Sequence, residues 1–249
     1  MRFMYANQWD ESSYTVSSNS EETDYPASNL REYQLARHYR ATGDTSEWVK
    51  IDGGSSEAIT ASIAFIAGHN ITSGATTIKI QGNDTDSWGS PTVDQSFTHD
   101  AGVMWKAFTE DSLRYWRFLV EDASNPDTYI KMGRVGLGTY LDMTNWPKAQ
   151  FPRRTVDTST IRRSPTGQLY GDKRITYKEY EFDFPIITDT ERQNLETMWE
   201  AVQKVKPILF IADPSGTTID PLYCTISEFE LTALVGFQWQ ARMVLTETL

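Results

Sequence analysis

The chain has 249 residues, of which 39% are hydrophobic and 12% aromatic, so a folded protein with one large core or two smaller ones is expected. The formal net charge is −11. Most of that acidity lies in residues 1–143, which hold 20 acidic against 11 basic residues, whereas the remainder holds 14 against 12. This balance argues against a nucleic-acid backbone or an anionic membrane as the main partner of the first half.

The N-terminus, Met1 to Asp10, has no sustained apolar stretch typical of a signal peptide, and no later run approaches membrane-spanning length. The single cysteine, Cys224, excludes an internal disulfide framework and lies in an apolar run, where a buried, inert thiol is expected. Folding in a reducing cytoplasm is therefore expected.

Short runs of aromatic and β-branched residues are separated by the turn-forming residues Gly, Pro, Asn and Asp, which favours many short strands. In the first half, Trp48 to Ile51 are predicted to form one strand, and apolar residues recur at every second position in Ile59 to Phe65, Ile78 to Ile80 and Trp116 to Val120. This spacing predicts an antiparallel sandwich from the N-terminus to Met143.

Six segments of this half occur in an order that matches a known family. They are Tyr25-Pro-Ala-Ser-Asn-Leu, Trp48-Val-Lys-Ile-Asp-Gly, His69-Asn-Ile-Thr-Ser-Gly, Ile78-Lys-Ile-Gln-Gly-Asn, Arg114-Tyr-Trp-Arg-Phe and Ile130-Lys-Met-Gly-Arg-Val. Residues 1–143 resemble the discoidin, or coagulation factor 5/8 type C, family. The resemblance implies a galactose-binding-like jelly-roll sandwich. It also implies binding by loops at one end, to sugars or lipid head groups, with a structural calcium ion in some members.

A sugar site needs a flat aromatic face beside fork-shaped polar groups, because the ring C–H surface stacks while hydroxyls take paired hydrogen bonds. The candidates on predicted loops are Tyr39, Arg40, Trp88 and Trp105. For Trp88, packing beneath a turn is the alternative to ligand stacking.

Two further pairs have a structural and a functional interpretation. His69 and Asn70 fit a turn that bonds its own backbone, and contact with a sugar is the alternative. Asp84 and Asp86 alternate as calcium ligands do, but no bidentate Glu follows at the expected place, so no metal is predicted.

The segment from Thr144 to Gly171 is rich in breakers and basic, and it is predicted to be a linker followed by an extended arm or hairpin. Its four arginines are Arg153, Arg154, Arg162 and Arg163. Little aromatic interleaving accompanies them, so contact with an acidic neighbouring subunit is favoured over nucleic acid.

After the arm, a strand is predicted in which the alternation of apolar and polar residues shifts by one position near Lys178 and Glu179. This shift predicts a β-bulge, and Pro185 is expected to end the strand. Thr188 and Glu191 form a capping-box pattern for a helix over Asp189 to Lys204. The helix pattern includes Val205 and predicts Trp199 buried on the sheet. The remaining predicted strands are Ile208 to Ile211, Tyr223 to Leu231 and Phe237 to Leu245.

This layout in residues 144–249 resembles the ring-forming domain of phage distal tail and minor tail proteins. The resemblance implies a mainly β domain with one main helix, which assembles into a homo-oligomeric ring, by family resemblance a hexamer. It also implies contacts with other tail proteins. The protein would be made in the host cytoplasm and then lie at the tail tip of the virion. In distal tail proteins the ring domain usually comes first, whereas here it would come second, which leaves the position within the tail open.

No catalytic constellation is visible. Walker, His-Glu-x-x-His and Cys-x-x-Cys motifs are absent from the sequence, and the three histidines lie far apart in it. We therefore expect a protein that is not an enzyme and needs no cofactor. The leading hypothesis is a structural tail-tip component whose first domain binds or docks outward. The alternative is a carbohydrate-binding adhesin that works without a ring, with a host-surface glycan as partner. A sugar-active enzyme would require an acid and a base across a cleft.

Overall fold

The computed structural model describes residues 1–55, 57–148, 151–215, 219–234 and 238–248. Two compact units divide the chain. The first unit is Met1–Asp142 together with Ile208–Tyr223, and the second is Met143–Pro207 together with Cys224–Thr248. The sequence-based division into 1–143 and 144–249 stays a prediction about separate domains, and it assigned Ile208–Tyr223 to the second half.

The chain is mainly β, and a single α-helix occurs within the described residues. The strands of its first 142 residues are β1 (Arg2–Met4), β2 (Thr15–Ser18), β3 (Tyr39–Arg40), β4 (Glu47–Asp52), β5 (Ile59–Ala67), β6 (Thr77–Asn83), β7 (Val93–Ser96), β8 (Val103–Leu113), β9 (Tyr115–Glu121), β10 (Lys131–Met132), β11 (Arg134–Gly138) and β12 (Leu141–Asp142). The later elements are β13 (Arg153–Asp157), β14 (Thr160–Arg163), β15 (Leu169–Asp172), β16 (Thr176–Ile187), α1 (Asp189–Val202), β17 (Ile208–Ile211), β18 (Leu222–Ala233) and β19 (Trp239–Glu247). Phe237, the predicted start of the last strand, lies outside the described residues.

The first unit is a jelly-roll sandwich of two antiparallel sheets. One has the order β2-β4-β9-β6-β7 and the other β11-β5-β8. Alternation along β9 turns Trp116, Phe118 and Val120 into the core, while Arg117 and Leu119 face outward. The inward side chains of both sheets form one buried cluster. The predicted fold class is therefore confirmed for this unit.

Short strands complete the first unit beside the sandwich. β3 pairs with β10, so Arg40 faces Lys131 across the ladder. β1 pairs with β12 on one side and with β17 on the other, and Arg2 faces Ile211 in that second pairing. β1 is thus an inner strand, although it begins at the second residue of the chain.

In the second unit β16 pairs with both β13 and β19, and β14 and β15 form a separate two-stranded hairpin. The predicted bulge position was wrong. Pairing is regular at Lys178 and Glu179, and the register shifts between Phe184 and Ile187 instead. Pro185 lies inside this irregularity and does not end the strand. A bulge leaves one residue outside the hydrogen-bond pairing between strands, so the missing N–H of proline is tolerated there.

Helix α1 confirms the capping-box prediction. The Thr188 side chain accepts from the Glu191 backbone, and the Glu191 side chain accepts from the Thr188 backbone. The helix ends at Val202, because Gln203 adopts a φ of 48°. The prediction that Val205 continues the helical face was wrong, since this residue follows the helix and is 69% exposed.

Trp199 was predicted to be buried and is only half-buried. Leu195, Met198 and Val202 fill the buried stripe of α1, so the indole of Trp199 sits at its edge. There it packs on Phe229, with ring centroids 5.4 Å apart.

The single cysteine and the length of the helix bear on two expectations from the sequence. Cys224 is fully buried, and that burial raises the pKa of its thiol, as expected for an inert cysteine. In the described part of the chain, no helix combines the length and apolarity needed to cross a bilayer.

Candidate functional site

A cluster of aromatic and charged side chains lies where β3 meets the turn from Glu22 to Tyr25. The backbone fixes this turn, since Glu22 N–H donates to Arg40 O at 3.0 Å and Arg40 N–H donates to Tyr25 O at 3.0 Å. The loop before β10 contributes Tyr129. We call Glu22, Tyr25, His38, Arg40 and Tyr129 the Arg40 cluster.

The rings of the Arg40 cluster are stacked around the guanidinium. Tyr25 and His38 have centroids 4.6 Å apart with an interplanar angle of 14°. Arg40 Cζ lies 3.7 Å from the Tyr129 ring centroid and 5.8 Å from that of Tyr25. Such short approaches of a guanidinium to a ring face are attractive. These contacts hold the side chains of the Arg40 cluster in place without a ligand.

Glu22 and Arg40 form an ion pair that leaves donors unused. Arg40 Nε lies 2.9 Å from Glu22 Oε1, yet its N–H does not point at an acceptor. Among the described residues, the terminal nitrogens of Arg40 and the hydroxyls of Tyr25 and Tyr129 have no protein partner. His38 uses Nδ1 on Ala36 O at 3.0 Å, which leaves Nε2 for a ligand.

Asn70 holds the loop that carries Tyr129. Its side-chain amide donates to Tyr129 O at 2.9 Å and to Asp127 Oδ2 at 3.0 Å, and its Oδ1 accepts from Lys131 N–H at 2.7 Å. The prediction of a turn that bonds its own backbone was wrong, because these partners are remote in sequence. Both N–H donors of the Asn70 amide and its Oδ1 have protein partners, so Asn70 fixes the loop that carries Tyr129.

His69 is likewise bound to a remote group, with Nε2 3.0 Å from Asp100 O. Burial lowers the pKa of its imidazole to about 4, so the ring is neutral at physiological pH. Its ring meets that of His99 at 6.2 Å, edge on, so the fold joins two histidines that are far apart in sequence.

The four predicted ligand residues are not brought together. Tyr39 is completely buried and its hydroxyl donates to Ser20 O at 2.7 Å, so its ring is not accessible to a ligand. Arg40 is at the centre of the Arg40 cluster. Trp88 lies half-buried on the outer side of the five-stranded sheet, under the Arg117 guanidinium and with Nε1 donating to Asp86 Oδ1 at 2.9 Å.

Trp105 lines a separate cleft of about 540 Å³ in the first unit. The charged and imidazole groups around this cleft are Arg2, His99, Asp100, Lys106 and Asp220. Its size falls within the range of small-molecule sites.

The Asp84–Asp86 loop shows no calcium arrangement in its contacts, because Asp86 is committed to Lys50 and Trp88. Within the described residues, no group of three or more metal-ligating side chains forms.

The predicted basic arm divides into two parts. Arg153 and Arg154 belong to β13, where Arg153 lies over the Tyr180 ring and Arg154 pairs with Glu179 at 2.6 Å. Arg162 and Arg163 lie exposed on the β14–β15 hairpin.

Sequence reasoning missed Glu22, Tyr25, His38 and Tyr129. Tyr25 begins the first of the six segments that resemble the discoidin family, and His38 is next to the predicted candidate Tyr39 and two residues from Arg40. These positions were the only indication in the sequence that Tyr25 and His38 belong to the site. Tyr129 is distant in sequence, and the pairing of β3 with β10 brings its loop to Arg40.

The chain matches no known family model, and no curated protein is similar to it. Solved structures are similar to about half of it. Chitosan-binding module 1 of a chitosanase/glucanase from Paenibacillus sp. IK-5 is 18% identical, with 50% of this chain and 94% of that chain covered and a TM-score of 0.39. The family 32 CBM from C. perfringens NanJ, in complex with galactose, is 13% identical, with 57% and 100% covered and a TM-score of 0.42. A Streptococcus pneumoniae fucose binding module is 11% identical, with 54% and 95% covered and a TM-score of 0.41.

Proposed function

We propose that the first unit is a carbohydrate-binding module and that the Arg40 cluster binds a sugar through its hydroxyl groups. The observation that carries this proposal is the Arg40 guanidinium, held 3.7 Å from the Tyr129 ring with its terminal nitrogens unpaired among the described residues. This is the alternative interpretation of the sequence, an adhesin-like function that needs no ring.

The chemistry of the cluster suits a sugar ring. A guanidinium presents parallel N–H donors that match two adjacent hydroxyl oxygens, and the partly exposed rings of Tyr25 and Tyr129 beside it add apolar surface for C–H groups. Hydrogen bonds to a charged group contribute about 1.5–3 kcal/mol each. Two of them are comparable to the roughly 4 kcal/mol that corresponds to a Kd of about 1 mM, so we expect weak binding of a single sugar.

Replacing Arg40 by Ala is expected to weaken sugar binding by about tenfold or more, because both charge-assisted hydrogen bonds are lost. The measurement is an NMR titration of the full chain with galactose, fucose and glucose in turn. Arg37→Ala is the matched control, since the Arg37 side chain is 67% exposed and, among the described residues, makes only a 3.9 Å ion pair with Glu32. Equal affinity of the Arg40→Ala and Arg37→Ala proteins, or no binding of any of these sugars by the parent, would count against the proposal.

We propose, separately, that the β14–β15 hairpin is a self-assembly contact. A two-stranded hairpin alone is marginal in water, and this one pairs with no further strand among the described residues. One of its faces exposes Ile161 at 70% and Leu169 at 56%, beside Arg163. Basic groups next to apolar ones suit the acidic surface of a second copy of this chain, whose net charge is −11. The ring, its hexameric size, the tail-tip position in a virion and the other tail partners stay predictions.

Changing Ile161 and Leu169 together to Ser is expected to lower the mass of the assembled protein, because apolar area at the contact is lost. Light scattering of the parent and the variant at equal concentration measures this. The control changes Val205 and Ile186 to Ser, which are exposed at 69% and 49% outside the hairpin. A monomeric parent, or a variant with the parental mass, would exclude the hairpin as the assembly contact.

A further inference from the structure

The outer face of the five-stranded sheet places two cations side by side. Lys50 of β4 and Arg117 of β9 are direct partners in the register, where like charges repel. Lys50 is compensated by an ion pair with Asp86. Asp86 also accepts from Trp88 Nε1 at 2.9 Å, which fixes the indole in place.

Arg117, by contrast, forms no ion pair with a carboxylate among the described residues. Its Nε donates to the neutral Gln81 Oε1 at 2.8 Å, and its Cζ lies 4.3 Å from the Trp88 ring centroid. Asp94 is committed, since it accepts from Lys79 Nζ at 3.0 Å and from Gln81 Nε2 at 3.2 Å. Across the described part of the chain, no acceptor meets the terminal nitrogens of Arg117.

The surroundings of Arg117 make its charge costly. The side chain is half-buried, and this loss of solvent lowers the pKa of the guanidinium, although the nearby Asp86 and Asp94 carboxylates act in the opposite direction. A bound anion would offset this lost hydration. Two aromatic rings lie beside the neighbouring Lys50. The ring centroids of Trp48 and Tyr115 are 5.3 and 5.7 Å from Lys50 Nζ.

We infer that Lys50, Trp88 and Arg117 form a second binding site, which takes the carboxylate of an acidic sugar. The terminal nitrogens of Arg117 donate to the carboxylate, the Lys50–Asp86 ion pair holds the Trp88 indole beside it, and the neighbouring aromatic rings contact the sugar ring. This inference shares the ligand class of the proposed function, but it involves no residue of the Arg40 cluster.

The test uses the full-length ¹⁵N-labelled chain, with the Trp88 indole signal assigned from a Trp88→Phe protein. Glucuronate is expected to shift this signal, whereas glucose and acetate at the same concentration are not. In Arg117→Gln the affinity for glucuronate is expected to fall about tenfold or more. Arg37→Gln, which also removes one positive charge from the first unit, is expected to bind as the parent does.

Several results would overturn the second site. They are the absence of a glucuronate shift in the parent, a shift that glucose or acetate reproduces, and a shift that persists unchanged in Arg117→Gln. The Arg40→Ala protein separates the two sites, because it should keep glucuronate binding while losing neutral sugars. Loss of signal dispersion in Arg117→Gln would mark unfolding, and Arg117→Lys, which keeps the charge but lacks the planar fork, would then replace it with the same expected loss.

Discussion

Replacing Trp116 by Ala is expected to destabilise the first unit by about 3–5 kcal/mol. The indole is fully buried between the sheets, and its Nε1 donates to Ile59 O at 3.0 Å and to Leu113 O at 3.2 Å. Its ring also fills the space over Gly82, where an added Cβ would lie 2.8 Å from it. The change therefore leaves a large cavity and two carbonyls that each lose a donor.

Chemical denaturation of the full chain, followed by circular dichroism, measures this loss. Trp146→Ala is the matched control, because Trp146 is 59% exposed and its removal should alter the free energy of unfolding by less than about 0.5 kcal/mol. Similar midpoints for the two variants would show that Trp116 does not anchor the sandwich.

Replacing Glu191 by Gln is expected to destabilise the second unit by about 3 kcal/mol. The carboxylate is only 6% exposed and accepts from both Thr188 N–H and Asn145 N–H, at 2.9 and 2.8 Å. It also accepts from the Thr188 hydroxyl, the Asn145 amide and Thr144 N–H. An amide has one acceptor oxygen, so several of these donors would lose their partner.

The same carboxylate predicts a dependence of stability on pH. Burial opposes its ionisation, but the hydrogen bonds from Thr188 and Asn145 outweigh it and hold the pKa of Glu191 below its usual range. A lowered folded pKa means that this stabilisation is present above the ordinary carboxyl pKa and is lost as pH falls through the folded value.

The expected result is that the difference in unfolding free energy between parent and Glu191→Gln shrinks in acid. Denaturation of both proteins at pH 7 and at progressively lower pH checks it. Glu200→Gln, an exposed position on α1, serves as the control and should show no such trend. A difference that stays constant in acid would show that the lost contacts do not depend on charge.

Local patterns in the sequence predicted much of the fold. The alternation of Trp116, Phe118 and Val120 with outward residues predicted β9, because the period of a strand is visible in seven residues. The capping box at Thr188 and Glu191 predicted the start of α1 for a similar reason, since both partners lie within one turn.

Features that depend on distant residues were not predictable. Nothing near Arg40 indicates that Tyr129 covers its guanidinium, or that Asn70 holds the Tyr129 loop. The same limit explains the bulge, because its position depends on how β16 pairs with β19 and not on the phase of β16 alone. Tyr39 shows the converse error, since a residue beside a loop was taken as accessible while its ring fills the core.

The pairing of β1 with β17 has a consequence for synthesis of the chain. Phe3 faces Phe210, so the ribosome must produce all of Met143–Pro207, the first segment of the second unit, before β1 meets this partner. Until then the edge of β1 that later pairs with β17 exposes its backbone N–H and C=O groups, which can pair with another chain. Newly made protein is therefore most prone to aggregate before Ile208–Ile211 emerges, and fragments that stop before Ile208 keep this exposed edge permanently.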